Sequence, residues 1–308
     1  MKRLEAHAAV RLTAVEGDVR RNLEPVLPLV WRAIGEGRPE PTLEWAAFHA
    51  DGGRRLELLG SYDAVRHAIR LNADALAIAA ALHRHPTAEP HEACFESLVP
   101  ALHPAALARP LVHPLVHEAV HAATPIQRLP FDPPSLPSLP DGATPLEVLR
   151  WPFYEQVVVR LADGSVVGTA VEPRRRGLLE GLTDAIAGRL VAALTPALPP
   201  ELAEPIGEPI RRGHARLARP DYPARDVLEA LFSADEQLAL LVPATEPTAV
   251  RDRLRARLPD DLFALAWGSV SGDLDRFAAT LPPEHPFRRL GWRSIAAWLR
   301  DPDAHVAA

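Results

Sequence analysis

The residues with the clearest chemistry are His117, Glu118 and His121, in the segment PLVHEAVHAAT. Histidines four apart on an α-helix project from adjacent turns to the same side, so both imidazoles can reach one metal ion. The glutamate between them stands beside that ion, placed to take a proton from water activated there. The H-E-x-x-H pattern therefore points to metal-assisted hydrolysis. The plainer alternative is a helix carrying two surface or core histidines and a solvated glutamate.

A hydrolytic zinc site uses three protein ligands and keeps the fourth position for water. No third histidine follows at the short spacing H-E-x-x-H-x-x-G-x-x-H, so the third ligand must come from farther along the chain. Glu180 and Asp184, the only E-x-x-x-D in the sequence, share one face of an expected helix over 178–194 with Ala187 and Val191. On so apolar a helix the two carboxylates are expected to be largely buried and to need compensating charge. A metal shared with His117 and His121 supplies it for Glu180, with Asp184 accepting the free N–H of a ligating histidine. A salt bridge to a nearby arginine is the competing account.

Composition removes other routes. One cysteine, Cys94, excludes an intramolecular disulfide framework and any all-thiolate zinc site, whereas 13 histidines leave nitrogen and carboxylate ligation open. Cys94 reads as a small apolar residue. There is no GxGxxG and no GxxxxGK[ST], so nucleotide cofactors have no support. A net charge of -6 argues against a nucleic-acid surface, and the run Arg174 to Arg176 reads as a solvated helix entrance. Lys2 is the only lysine among 34 basic residues, a compositional bias to which we attach no function. The N-terminus MKRLEAHAAV lacks a signal-peptide layout and charges interrupt every apolar run, so a cytoplasmic protein without membrane contact is expected. Among the remaining histidines, His113 is separated from His121 by a helical rise of roughly 12 Å and cannot share its ion. It reads as a rim residue. His83, His85, His91 and His103 read as surface residues, and HEACF places Phe95 where a second ligand would stand.

The elements that must position these groups follow from periodicity and breakers. Residues 3–34 read as two helices broken near Pro25 and Pro28. From Thr42, alternating apolar residues and the Asp51 to Gly53 turn predict three short strands forming a small sheet without a βαβ unit. DALAIAAAL and EACFESLVPAL read as helices. Pro104 to Thr124 is helical by its Leu107/Leu111/Leu115 and Val112/Val116/Val120 rows, with Pro110 and Pro114 expected to confine the regular part to its second half. Seven prolines in Thr124 to Pro145 predict an aperiodic surface loop or lid, whose Asp132 to Pro140 portion is suited to covering a cleft. A hairpin folded at Asp163-Gly164 and then a helix ending at Pro196 follow, and every later periodic segment looks helical. The expected class is α+β and predominantly helical. N-terminal helices occupy 1–41, a core with its small N-terminal sheet and Pro-rich loop 124–145 spans 42–197, and a helical C-terminal region covers 198–308.

HEAVH, followed some sixty residues later by LLEGLTDAIA, resembles the gluzincin metallopeptidases, the thermolysin-like branch of the zincins, over about residues 42–195. The resemblance implies a zincin-like core holding Zn2+, with His117, His121 and Glu180 as ligands and Glu118 as general base. Asp184 would be the partner of His117 behind the metal. It also implies a sheet edge strand on which an extended substrate adds, matched by order to Arg66 through Leu71. An oxyanion-stabilising side chain is implied too, for which Tyr222 in RPDYPARDVL is preferred over His214 in RRGHARL; both have surface or packing roles as alternatives. Tyr154 reads as strand filler.

The expected function is a zinc-dependent peptidase or amidase acting on peptide or protein substrates. A zincin-like module that binds a peptide or partner protein without cleaving it is the alternative, using the helical C-terminal region and the Pro-rich segment. A non-peptide hydrolase built on the same site is a third reading.

Overall fold

Val26, Leu27, Val30 and Ile34 recur at helical spacing and are all buried in α1 (Val26–Ile34). Pro25 takes the N-cap position after a helical stretch at 17–23, and Pro28 falls in the first turn, where its missing N–H has no intrahelical partner to lose. The computed structural model describes residues 17–35, 37–46, 49–50, 53–54, 59–72, 104–131, 139, 141–151, 155–170 and 176–203, and residues 225, 228–229, 232–241, 252–253, 255–257, 260 and 263. The helices expected before residue 17 and between 74 and 102 lie outside them, as do the middle of the Pro-rich segment and most of the C-terminal region.

Strands β1 (Thr42–Ala46), β2 (His49–Ala50), β3 (Gly53–Arg54), β4 (Gly60–Asp63) and β5 (Ala68–Asn72) follow. β2 and β3 form a short antiparallel pair flanking 51–52, while β1, β5 and β4 make a mixed sheet in that order. β5 runs parallel to β1 and antiparallel to β4. As the central strand it buries Ala68, Ile69, Leu71 and Asn72 completely. The turn into it is built locally: Asp63 Oδ1 accepts from the N–H of Val65 and Arg66 at 3.0 and 3.1 Å, and His67 takes φ 52°. His67 Nε2 lies 2.9 Å from the Pro39 carbonyl, which can only accept, so Nε2 donates there, and Nδ1 lies 2.8 Å from the Tyr62 hydroxyl.

α2 (Pro104–Ala123) packs on α1, β4 and β5. The helix is continuous through Pro110 and Pro114, where a shorter regular part is expected from sequence. Each interior proline costs about 3 kcal/mol. Burial of Leu111, Val112, Leu115, Val116 and Val120, each at 3% exposure or less, contributes about 1.5–3 kcal/mol per side chain and outweighs that.

The Pro-rich stretch is likewise not all loop. β6 (Gln127–Pro130) and the start of β7 (Thr144–Arg150) fall inside it, and with β8 (Glu155–Arg160) and β9 (Val166–Ala170) they form an antiparallel sheet in chain order. The prolines occupy positions that tolerate them. Pro130 ends the edge strand β6, and Pro145 lies beyond the reach of β6 at a register shift against β8. The β8–β9 hairpin turns at Asp163-Gly164 as expected, with Gly164 at φ 83°. Ser165 donates twice to Asp163 Oδ1, which holds that carboxyl below its usual value.

α3 (Arg176–Leu194) is the helix expected there, extended by a 3-10 turn at Thr195–Ala197 and followed by α4 (Pro200–Ala203). In the C-terminal region α5 (Ala234–Leu241) opens with a reciprocal cap: Glu236 Oε2 accepts from the Ser233 N–H at 2.8 Å, and Ser233 Oγ from the Glu236 N–H at 3.3 Å. Hydrogen bonds from Arg257 and then from Ser233 lower the Glu236 carboxyl to about 2. A depressed folded value means that its contribution is complete above its ordinary value of 4.5 and is lost as pH falls toward about 2. The wild-type advantage in thermal midpoint over Glu236→Gln is therefore expected to shrink across that window and to stay constant from pH 5 to 7.

The fold is α+β, and among the described residues no helix is long and apolar enough to cross a membrane. The chain divides into two compact units, Met1–Ala123 with Ala187–Pro220 and Thr124–Ile186 with Asp221–Ala308. The division falls within α3.

Candidate metal centre

From Leu111 to Ala123 α2 is buried nearly all round, so its polar residues at 117, 118 and 121 sit among apolar neighbours. His117, Glu118 and His121 are 5%, 8% and 8% exposed. This excludes the solvated version of the plainer alternative. The two Nε2 atoms stand 3.1 Å apart, with the rings at 72° to one another. An ion at the usual Zn–N distance from both would see them at an angle of about 100°, close to tetrahedral.

α3 presents the carboxylates. Residues 181–187 are all buried, Asp184 is 6% exposed and Glu180 is half-buried. One ligand atom each from His117, His121 and Glu180 lie within 4.8 Å of one another, as do those of His113, His117 and Asp184. The first group is the donor set expected for zinc, two imidazoles and a carboxylate. No group of three contains both His113 and His121 among the described residues.

The two groups share His117, so one ion must choose between them. Arg225 decides the choice. Its Nη1 donates to Asp184 Oδ2 at 2.7 Å and its Nε to Glu229 Oε1 at 3.0 Å. Burial alone would lower the Arg225 value, but Asp184 and Glu229 overcome it and raise it further. A divalent ion on Asp184 would face this guanidinium a few ångströms away, a repulsion on the order of 5 kcal/mol at an effective dielectric near 20. That repulsion counts against the His113–His117–Asp184 group as a metal position. For Asp184 the arginine salt bridge anticipated as a competing account is present.

Glu118 faces β4. A Cβ placed on Gly60 would come within 3.0 Å of Glu118 Cγ and 3.4 Å of its Oε1. The strand beside the glutamate at the edge of the described sheet is thus β4. The stretch Arg66 through Leu71 does not take that role: it enters β5, which is covered on one side by β1 and on the other by β4. Tyr222, His214, Tyr154 and Cys94 lie outside the described residues, as do His83, His85, His91 and His103. Sequence reasoning missed Arg225, Gly60 and the place of His113 beside Asp184. The Arg225 and Glu229 spacing is readable as a helical pair, but nothing local connects Arg225 to an aspartate 41 residues away. No known family, curated protein or solved structure matches the chain, so the case for a metal centre rests on the residues of these helices themselves.

Proposed function

We propose that the chain is a zinc-dependent metallopeptidase of zincin-like organisation. The observation that carries this is the facing pair of buried imidazoles on α2, 3.1 Å apart, with a Glu180 carboxylate oxygen within 4.8 Å of a nitrogen of each and Glu118 on the same helix. Buried facing nitrogens and a nearby carboxylate suit a borderline-soft ion that accepts mixed N and O donors. Zinc, when bound, lowers the pKa of water and polarises a carbonyl. The chain's own groups do the rest. His117, His121 and Glu180 would hold the ion, and Asp184, fixed by Arg225, would orient His117. Glu118 takes a proton from the attacking water and returns it to the leaving amine, a transfer its buried position shields from bulk solvent. Peptides are the proposed substrates because β4 lies at the edge of the sheet among the described residues, beside Glu118, where an extended chain can align by backbone hydrogen bonding.

Metal analysis of the purified protein, combined with a peptide-library digest, tests the proposal. About one zinc per chain and cleavage abolished by a chelator are expected. Zinc without cleavage of any peptide would favour the binding-module reading, and no metal after incubation with zinc would reject the centre itself.

A further inference from the structure

Gly60 has no backbone reason to be glycine. It is not among the positive-φ glycines, and it sits in regular antiparallel register opposite Leu71. A glycine within a strand weakens it relative to alanine, because it has more freedom to lose and no side chain to pack. Its missing side chain matters at a different point. An alanine Cβ would stand 3.0 Å from Glu118 Cγ, below the 3.5–4.0 Å of a relaxed carbon contact. The second and third nearest atoms, at 3.4 Å, are the Arg70 carbonyl oxygen and Glu118 Oε1.

We propose that Gly60 is a positioning residue for Glu118: the empty space at the first residue of β4 sets where the carboxylate stands. The inference rests on the peptidase reading for its catalytic consequence. The colliding atom is a mid-chain methylene of a glutamate 8% exposed, on a helix packed against this strand. The Arg70 carbonyl belongs to the paired strand β5 and cannot retreat without breaking register. Relief must come from Glu118, and rotation that moves Cγ by a few tenths of an ångström carries the carboxylate oxygens farther. A general base tolerates little of this: misplacement by about 1 Å costs on the order of 100-fold in rate.

The test uses the full chain carrying Gly60→Ala, Glu118→Ala, or both. Zinc content is expected to match wild type in Gly60→Ala, because the ligands are untouched. On a peptide cleaved by wild type, kcat should fall about 10- to 100-fold with KM within about twofold. In urea, Gly60→Ala should lower the unfolding midpoint of the wild-type background. In the Glu118→Ala background it should leave the midpoint unchanged or raise it, since the obstructing methylene is gone. Equal midpoint shifts in the two backgrounds, or an unchanged kcat, would overturn the proposal. The urea cycle needs no substrate, so a chain that cleaves nothing would fail the proposed function without deciding the Gly60–Glu118 coupling.

Discussion

Replacing Glu118 by glutamine is expected to lower peptide hydrolysis by a factor of about 10² to 10⁴ while leaving zinc bound. The amide has the length and nearly the shape of the carboxylate, so it fits the space that Gly60 leaves beside it. It cannot accept the proton from the attacking water or hand it on. Glu118 is absent from both groups of potential ligand atoms, so its charge is not needed to hold the ion. Single-turnover cleavage and zinc content measured on the same preparation check the result. Wild-type turnover in the glutamine variant would move the general base elsewhere, and loss of zinc would make Glu118 a ligand.

The second large effect concerns Glu180. Alanine there removes one of three donors, and zinc affinity is expected to fall by more than the 10- to 100-fold typical of losing a group behind the ligands. Asp184→Asn provides that milder comparison, because Asp184 would act on the ion only through His117 and is already paired with Arg225. Glu180 is half-buried, so truncation should disturb packing little and the loss can be assigned to coordination. Thermal unfolding reads it directly. A ligand at 100 times its Kd stabilises by about 2.7 kcal/mol, so chelation should lower the wild-type Tm by several degrees and the Glu180→Ala Tm hardly at all. Equal zinc retention by wild type and Glu180→Ala would place the third ligand elsewhere.

Where sequence reading worked, the information was local. The i, i+4 spacing of His117 and His121 already requires a shared helix face, and the Asp163-Gly164 turn already implies its hairpin. Pro110, Pro114, Pro130 and Pro145 were harder to read because a proline's effect depends on whether its missing N–H had a partner and on how much burial opposes it. Neither quantity is local. The same holds for β5, whose alternation suits an edge or a central strand equally until β1 and β4 are placed on either side. Glu180 was singled out because a zinc site with two histidines calls for a further ligand. Arg225 was not, since any of many arginines in the chain satisfies the electrostatic demand of Asp184.

The prolines of α2 bear on how the helix comes apart. In an α-helix each N–H bonds the carbonyl four residues back, so Pro110 and Pro114 remove the bonds to residues 106 and 110. Every N–H from Leu115 to Ala123 remains, including those of His117 and His121. The hydrogen-bond ladder is therefore interrupted by proline only upstream of His117 and His121. Fraying that begins at the amino-terminal end can stop at Pro114, and the four-residue interval between the two imidazoles survives it.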